Sequence, residues 1–153
     1  MPLAYVGLGS NLGDREATIR AAVAALDAEE GVRVLGVSSL IETDPVGFTA
    51  QPRFLNGAVA LDTALGPRDL LDLLLRIETR FGRDRGVAPP HGPRTLDLDL
   101  LLFGNSEVDE PGLRIPHPRL HERAFALAPL AELEPALEVP GKGPVQALLA
   151  GLH

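Results

Sequence analysis

The sequence predicts an α+β fold: a ferredoxin-like βαββαβ core with a mainly antiparallel sheet, helices packed on one face of it, and long loops between elements. Three observations carry this expectation. Up to Phe103, strand-like apolar runs and helix-like apolar stripes follow one another in the order β, α, β, β, α, β. The second and third strands are separated by Asp44 to Pro52, a breaker-rich stretch suited to joining an antiparallel pair rather than to a crossover. At 153 residues, 45% hydrophobic and 23% charged, the chain is sized for a single domain, 1–153, with a proper core.

Each element has a local reason. Leu3 to Leu8 reads as a buried strand and Gly9 to Gly13 as the loop after it. Asp14 is placed to cap a helix whose Ile19, Ala22, Val23 and Leu26 form one stripe ending near Gly31. Val32 to Thr43 reads as one long strand, and Phe54 to Asp62 as the next. Gly66-Pro67 opens a second helix through Leu70, Leu74, Ile77 and Phe81, which Gly82 stops. Arg83 to Pro93 has three prolines, two glycines and no periodicity, which is the composition of a mobile loop. The strand around Leu96 to Phe103 follows, then a Gly104-Asn105 turn and a short strand at Leu113 to Ile115. Pro116-His117-Pro118 breaks the chain before a helix through Leu120, Arg123, Ala124 and Leu127, and short helical pieces are expected at 129–133 and 145–152.

Composition removes several function classes. No run of about 18 uncharged apolar residues exists, and the N-terminus lacks a basic, apolar, small-residue signal pattern, so a cytoplasmic protein without membrane contact is expected. Cysteine is absent, which excludes disulfides, thiolate metal sites and cysteine nucleophiles. A net charge of -7 argues against a nucleic-acid binder. All 14 basic side chains except Lys142 are arginine, and Arg76, Arg80, Arg83, Arg85 and Arg94 crowd ahead of Asp97; guanidinium forks suit phosphate oxygens.

The chemistry concentrates in Leu96-Asp97-Leu98-Asp99-Leu100. Alternate strand residues share a face, so Asp97 and Asp99 point the same way with Cα atoms roughly 6.5 to 7 Å apart, a spacing that suits metal ions. The competing reading is a plain solvated strand face. Leu100 to Phe103 then abandons alternation, which predicts a central strand covered on both faces, where carboxylates need a partner. Phe54 and Asn56, two apart on a strand, put a flat ring and an amide on one face, as a planar heterocycle requires. Gly7-Leu8-Gly9-Ser10-Asn11-Leu12 fails the dinucleotide fingerprint at Leu12 and reads as a close strand-to-helix turn.

These segments, with Gly92-Pro93-Arg94-Thr95-Leu96-Asp97-Leu98-Asp99-Leu100-Leu101, Ala4 to Gly13, Thr43-Asp44-Pro45-Val46-Gly47, Gln51 to Asn56 and Ile115 to Phe125, resemble in order the 6-hydroxymethyl-7,8-dihydropterin pyrophosphokinase family. The resemblance runs to about Pro135. It implies an enzyme of folate biosynthesis moving pyrophosphate from ATP to the hydroxymethyl group of a reduced pterin, with release of AMP by a monomer using two Mg²⁺ ions. On that resemblance Asp97 and Asp99 are the metal ligands and, with Arg83 and Arg94, the catalytic set. Phe54 and Phe125 sandwich the pterin, while Thr43, Pro45, Val46 and Asn56 read its edge. Glu78, Arg83, Arg85, Arg94, Leu100, Arg114, His117 and Arg123 attend the ATP. The loops 44–51 and 83–93 resemble the family's moving active-site lids. Many relatives have Trp at His91, a basic residue at Gly112 and Tyr at Pro118, departures for which Arg85 or Arg114 could compensate. Another metal-dependent phosphoryl or nucleotidyl transferase would explain the carboxylates and arginines but not the ring with its amide; a non-catalytic ferredoxin-like module is the third reading.

Overall fold

The first strand and helix form as their chemistry dictates. In the computed structural model, which describes residues 3–44, 52–82 and 96–152, β1 spans Leu3–Ser10 and α1 spans Arg15–Asp27. The Asp14 carboxylate accepts from Ala17 N at 3.2 Å, satisfying one of the orphan amides of the first turn. The second helix, α2, spans Pro67–Arg80 and buries Leu70, Leu73, Leu74 and Ile77 along one stripe, after which Gly82 at φ +87° turns the chain.

The remaining strands of the main sheet are β2 (Val32–Val37), β3 (Ile41–Thr43), β4 (Phe54–Thr63) and β5 (Asp97–Phe103). Their order is β2-β4-β1-β5 with β3 also paired to β4, and every pairing is antiparallel. This is the predicted split βαβ arrangement: β1 and β2 run the same way with β4 between them. Two small hairpins follow, β6 (Val108–Glu110) with β7 (Leu113–Ile115), and β8 (Glu138–Val139) with β9 (Gly143–Pro144). A 3₁₀ turn at Leu120–Glu122 precedes α3 (Ala124–Leu133), and α4 spans Val145–Ala150.

Five expectations need correction. β1 continues to Ser10, so Gly9 and Ser10 stand inside the strand rather than in the loop after it. The long strand 32–43 is broken at residues 38–40, where the Ser38 hydroxyl replaces a backbone carbonyl as acceptor from Ala58 N at 2.8 Å. The helix expected from Leu120 starts as the 3₁₀ turn, and Pro129 lies within α3 because burial of Ala126, Leu127, Pro129 and Leu130 holds that helix continuous.

Helices cover both faces of the sheet. Ala4, Val6, Leu8, Leu98 and Leu100 meet α1 and α2 in one core, while Tyr5, Ala58, Ala60, Leu101 and Leu102 meet α3 and α4 in another. Finally, β5 is an edge strand, not a central one. It is buried on both faces as predicted, but its apolar run comes from a register shift: Val6 opposes Leu100 and Tyr5 opposes Leu102, leaving Leu101 as an extra residue. The bulge turns Leu101 and Leu102 to the same core, and Leu101 O accepts from His117 N at 3.0 Å on the edge.

Candidate active site

The register places the predicted residues in one row. Asp97 opposes Gly9, Gly9 opposes Asn56, and Asn56 opposes Ile41, so β5, β1, β4 and β3 each contribute one position on the α3 face of the sheet. In the next row Asp99 opposes Gly7, which opposes Ala58. Asp97 and Asn56 are thus two strand spacings apart, about 10 Å between Cα atoms. Only glycine stands between them. A Cβ at Gly9 would lie 3.0 Å from Asn56 Oδ1 and 3.7 Å from Asp97 Cβ, so the bare backbone is what admits the amide beside the carboxylate strand. Gly7 and Gly9 were missed as site residues; their signal is the same two-residue alternation that flagged the aspartates.

Around this row the side chains are fixed by named bonds. Asn56 is buried and donates through Nδ2 to Thr43 Oγ1 across the Thr43–Phe54 pairing of β3 and β4. Phe54, two residues before Asn56, shares its face. Phe125 sits in the first turn of α3, with the Arg123 guanidinium 5.5 Å from its ring centroid. The root of the 45–51 segment is held by a cluster that composition did not reveal. Arg15 donates to Arg53 O at 2.9 Å and pairs with Glu42 at 2.6 Å, while Arg53 pairs with Asp44 at 3.2 Å. The hydrogen bond from Arg15 and its charge hold the Glu42 carboxyl below its usual range.

His117 is held against the edge of β5 by its own backbone. Burial first, then the Arg123 charge, lowers its imidazole from 6.5 to about 4, with Asp97 acting in the opposite direction and Arg119 reinforcing the drop. The ring is therefore neutral at pH 7. Its Nδ1 accepts from Arg119 N at 3.2 Å, which leaves the proton on Nε2 as a donor. Because the folded value lies below the ordinary one, between pH 6.5 and 4 the unfolded chain binds a proton that the folded chain refuses. Stability present above pH 6.5 is lost as the pH falls toward 4, by on the order of 2 kcal/mol once partial exposure is discounted. Urea denaturation of wild type and His117→Asn across this range should show the increment in wild type alone; parallel curves would contradict it.

Two residues assigned to ATP do not reach this face with their side chains. Leu100 alternates with Asp99 and points into the α1–α2 core. Glu78, on α2 and 2% exposed, lies on that same side, where its Oε2 accepts from Leu98 N at 2.7 Å. Arg114 stands exposed on β7, paired with Asp109 at 3.3 Å. Arg83, Arg85, Arg94, Pro45, Val46 and His91 lie outside the described residues, as do most of both proposed lids. Gly112 adopts φ +77° in the β6–β7 turn, a conformation that favours glycine over the basic residue of many relatives.

The donor set is consistent with a hard cation. Asp97 and Asp99 offer oxygen ligands on one face, both half-buried and opposite residues without side chains.

Comparison with known proteins gives the class: an ATP-dependent diphosphotransferase. A Bacillus subtilis protein named 2-amino-4-hydroxy-6-hydroxymethyldihydropteridine pyrophosphokinase is 52% identical over 131 residues, covering 86% of this chain and 77% of the relative. The Pseudomonas aeruginosa protein of the same name is 49% identical over 146 residues, covering 95% and 89%. The chain belongs to the 7,8-dihydro-6-hydroxymethylpterin-pyrophosphokinase family, whose sequence profile matches residues 5–135. An HPPK-DHPS crystal structure in complex with substrates shares the fold at a TM-score of 0.78 and 12% identity, over 97% of this chain. The chain spans only 43% of that longer protein.

Proposed function

We propose that the chain transfers pyrophosphate from ATP to the hydroxymethyl group of 6-hydroxymethyl-7,8-dihydropterin, releasing AMP, as a step of folate biosynthesis. The observation that supports this reading is the row Asp97, Gly9, Asn56, which sets a carboxylate suited to a cation on the same sheet face as an amide suited to the edge of a planar heterocycle. The hydroxyl oxygen attacks the β-phosphorus, a new P–O bond forms, and the bond from that phosphorus to the α,β-bridging oxygen breaks, so that the bridging oxygen leaves with AMP. The hydroxyl proton passes to Asp97 or to water.

Phe54 and Phe125 hold the pterin ring while Asn56, Thr43 and the backbone at Pro45 and Val46 read its edge. Arg83, Arg85, Arg94, Arg114, His117 and Arg123 hold the triphosphate; a neutral His117 donates from Nε2. Asp97 and Asp99 would hold two Mg²⁺ ions, which supply charge neutralisation at the transferring phosphate. The transfer needs alignment and electrostatic stabilisation rather than a covalent nucleophile. Loops 44–51 and 83–93 close over the substrates and exclude water from the phosphoanhydride. The working form is a monomeric single domain, 1–153, in the cytoplasm; among the described residues no helix is long and apolar enough to cross a membrane.

Incubation with ATP, Mg²⁺ and the pterin alcohol should yield AMP and pterin diphosphate in equal amounts. ADP in place of AMP would indicate an ordinary kinase, and ligand binding without turnover a binding module.

A further inference from the structure

The break between β2 and β3 is built rather than frayed. Ser38 stays in the ladder through Ser38 N to Ala58 O at 2.9 Å, and its hydroxyl accepts from Ala58 N. That hydroxyl also donates to Ser39 O at 2.9 Å, which turns the chain out of the sheet until Ile41. Opposite the break, a Cβ at Gly57 would fall 2.7 Å from Leu40 Cδ2 and 3.1 Å from Ser38 Oγ, so glycine is what lets the kink fold back on β4.

The outer side of the kink is fastened from the other layer. Ser39 donates twice to Glu132 in the last turn of α3, from its hydroxyl to Oε1 at 2.6 Å and from its backbone N to Oε2. These bonds favour the ionised carboxylate and hold it below its usual range.

Helix α3 crosses the site face of the sheet. At its start, the Arg123 charge acts on His117, as does that of Asp97 on β5. At its end, Leu133 lies 3.6 Å from where a Cβ of Gly36 on β2 would be. Glu132 follows Phe125 by about two helical turns, so the two lie on the same side of the helix, roughly 10 Å apart along its axis.

We propose that Glu132 is a positioning residue for the pterin site: its clip on Ser39 fixes α3, and with it Phe125, relative to the β3–β4 wall of Thr43, Phe54 and Asn56. This rests on the pyrophosphokinase reading for the ligand concerned. The kink stands at the root of β3, whose last residue, Thr43, orients the Asn56 amide. Releasing the kink frees Thr43 to shift and leaves the two walls to find their separation independently. The strand carrying Asp97 and Asp99 is not joined to the kink, since β5 pairs with β1 rather than with β3 or β4, and it meets α3 through Leu101 and Leu102, beyond the carboxylates.

The test uses the full chain with Glu132→Ala, Glu132→Gln and Ser39→Ala. AMP release gives KM for each substrate, and quenching of pterin fluorescence in the presence of a non-hydrolysable ATP analogue gives the pterin Kd. Glu132→Ala should raise the pterin KM and Kd about five- to tenfold while the ATP KM stays within twofold. Glu132→Gln, which keeps acceptor oxygen, should fall between that variant and wild type. Ser39→Ala should add little to Glu132→Ala in the double variant. Both residues are at the surface, so melting temperatures should fall by only a few degrees. Pterin constants within twofold of wild type would overturn the proposal, as would equal rises for ATP and pterin, which would mark a general loosening. A wild-type chain that binds pterin but makes no AMP would count against the transfer reading, while the Kd comparison would still decide the role of Glu132.

Discussion

Asp97→Ala and Asp99→Ala are each expected to lower AMP release about a thousandfold or more, with little change in melting temperature. Losing a single group that stabilises developing charge commonly costs a hundred- to a thousandfold, and a lost metal ligand removes both charge neutralisation and alignment. The fold should survive because β5 is held by the burial of Leu98 and of Leu100 to Phe103, and the carboxylates are only half-buried. Calorimetric titration with Mg²⁺ in the presence of an ATP analogue should show weakened cation binding in both variants. Turnover within tenfold of wild type would remove the aspartates from the catalytic machinery. The isosteric Asp97→Asn variant separates two roles of one side chain. If it retains near-normal turnover with both cations bound, Asp97 is not the base that takes the hydroxyl proton.

The second large effect is on stability. Glu78→Ala should cost about 2 to 4 kcal/mol, because it strands a buried backbone N–H and opens space in the α2–β5 interface. The acceptor lost is the 2.7 Å bond to Leu98 N, within the Asp97–Asp99 segment, from a side chain only 2% exposed. Turnover should fall as well, since the strand presenting both carboxylates loses its support from the helix layer. Glu78→Gln keeps an acceptor and should cost less than half as much. Urea unfolding monitored by far-UV circular dichroism measures both; a Glu78→Ala loss below 1 kcal/mol would show that water or a shifted neighbour satisfies Leu98.

Much of the site was legible because its signals obey strand periodicity. Asp97 with Asp99, and Phe54 with Asn56, announced shared faces from sequence spacing alone, and the register keeps each pair on one face and brings the two pairs onto the same one. What escaped depended on tertiary contacts. Gly7 and Gly9 alternate like the aspartates but carry no side chain to read, and the sheet register is what sets Gly9 between Asn56 and Asp97 and Gly7 between Ala58 and Asp99. The split of strand 32–43 needs the Ser38 hydroxyl to meet Ala58, which sequence spacing does not reveal. The apolar run at Leu100 to Phe103 mimicked a central strand because a bulge, not a second neighbour, turns Leu101 and Leu102 into the same core. The covering of the second face was hidden by the nearly unbroken hydrophobicity of α3 and by Pro129, which from sequence marked a boundary and in the fold is a buried interior residue.

The position of β1 between β4 and β5 has a consequence for how the site comes into being. Its glycines touch residues about fifty positions away on one side and about ninety on the other, so neither half of the row can meet its counterpart until both long-range pairings have closed. Such non-local contacts form late and slowly. During synthesis the ring-and-amide half, carried by β1, β3 and β4, can assemble before β5 has emerged, whereas the carboxylate half arrives with the last strand. Phe125, on α3, emerges later still, so neither half of the candidate site is complete until the chain beyond β5 has folded. Ligands that span both halves would bind only the finished sheet, and at a hundredfold excess over their Kd would add about 2.7 kcal/mol to its stability.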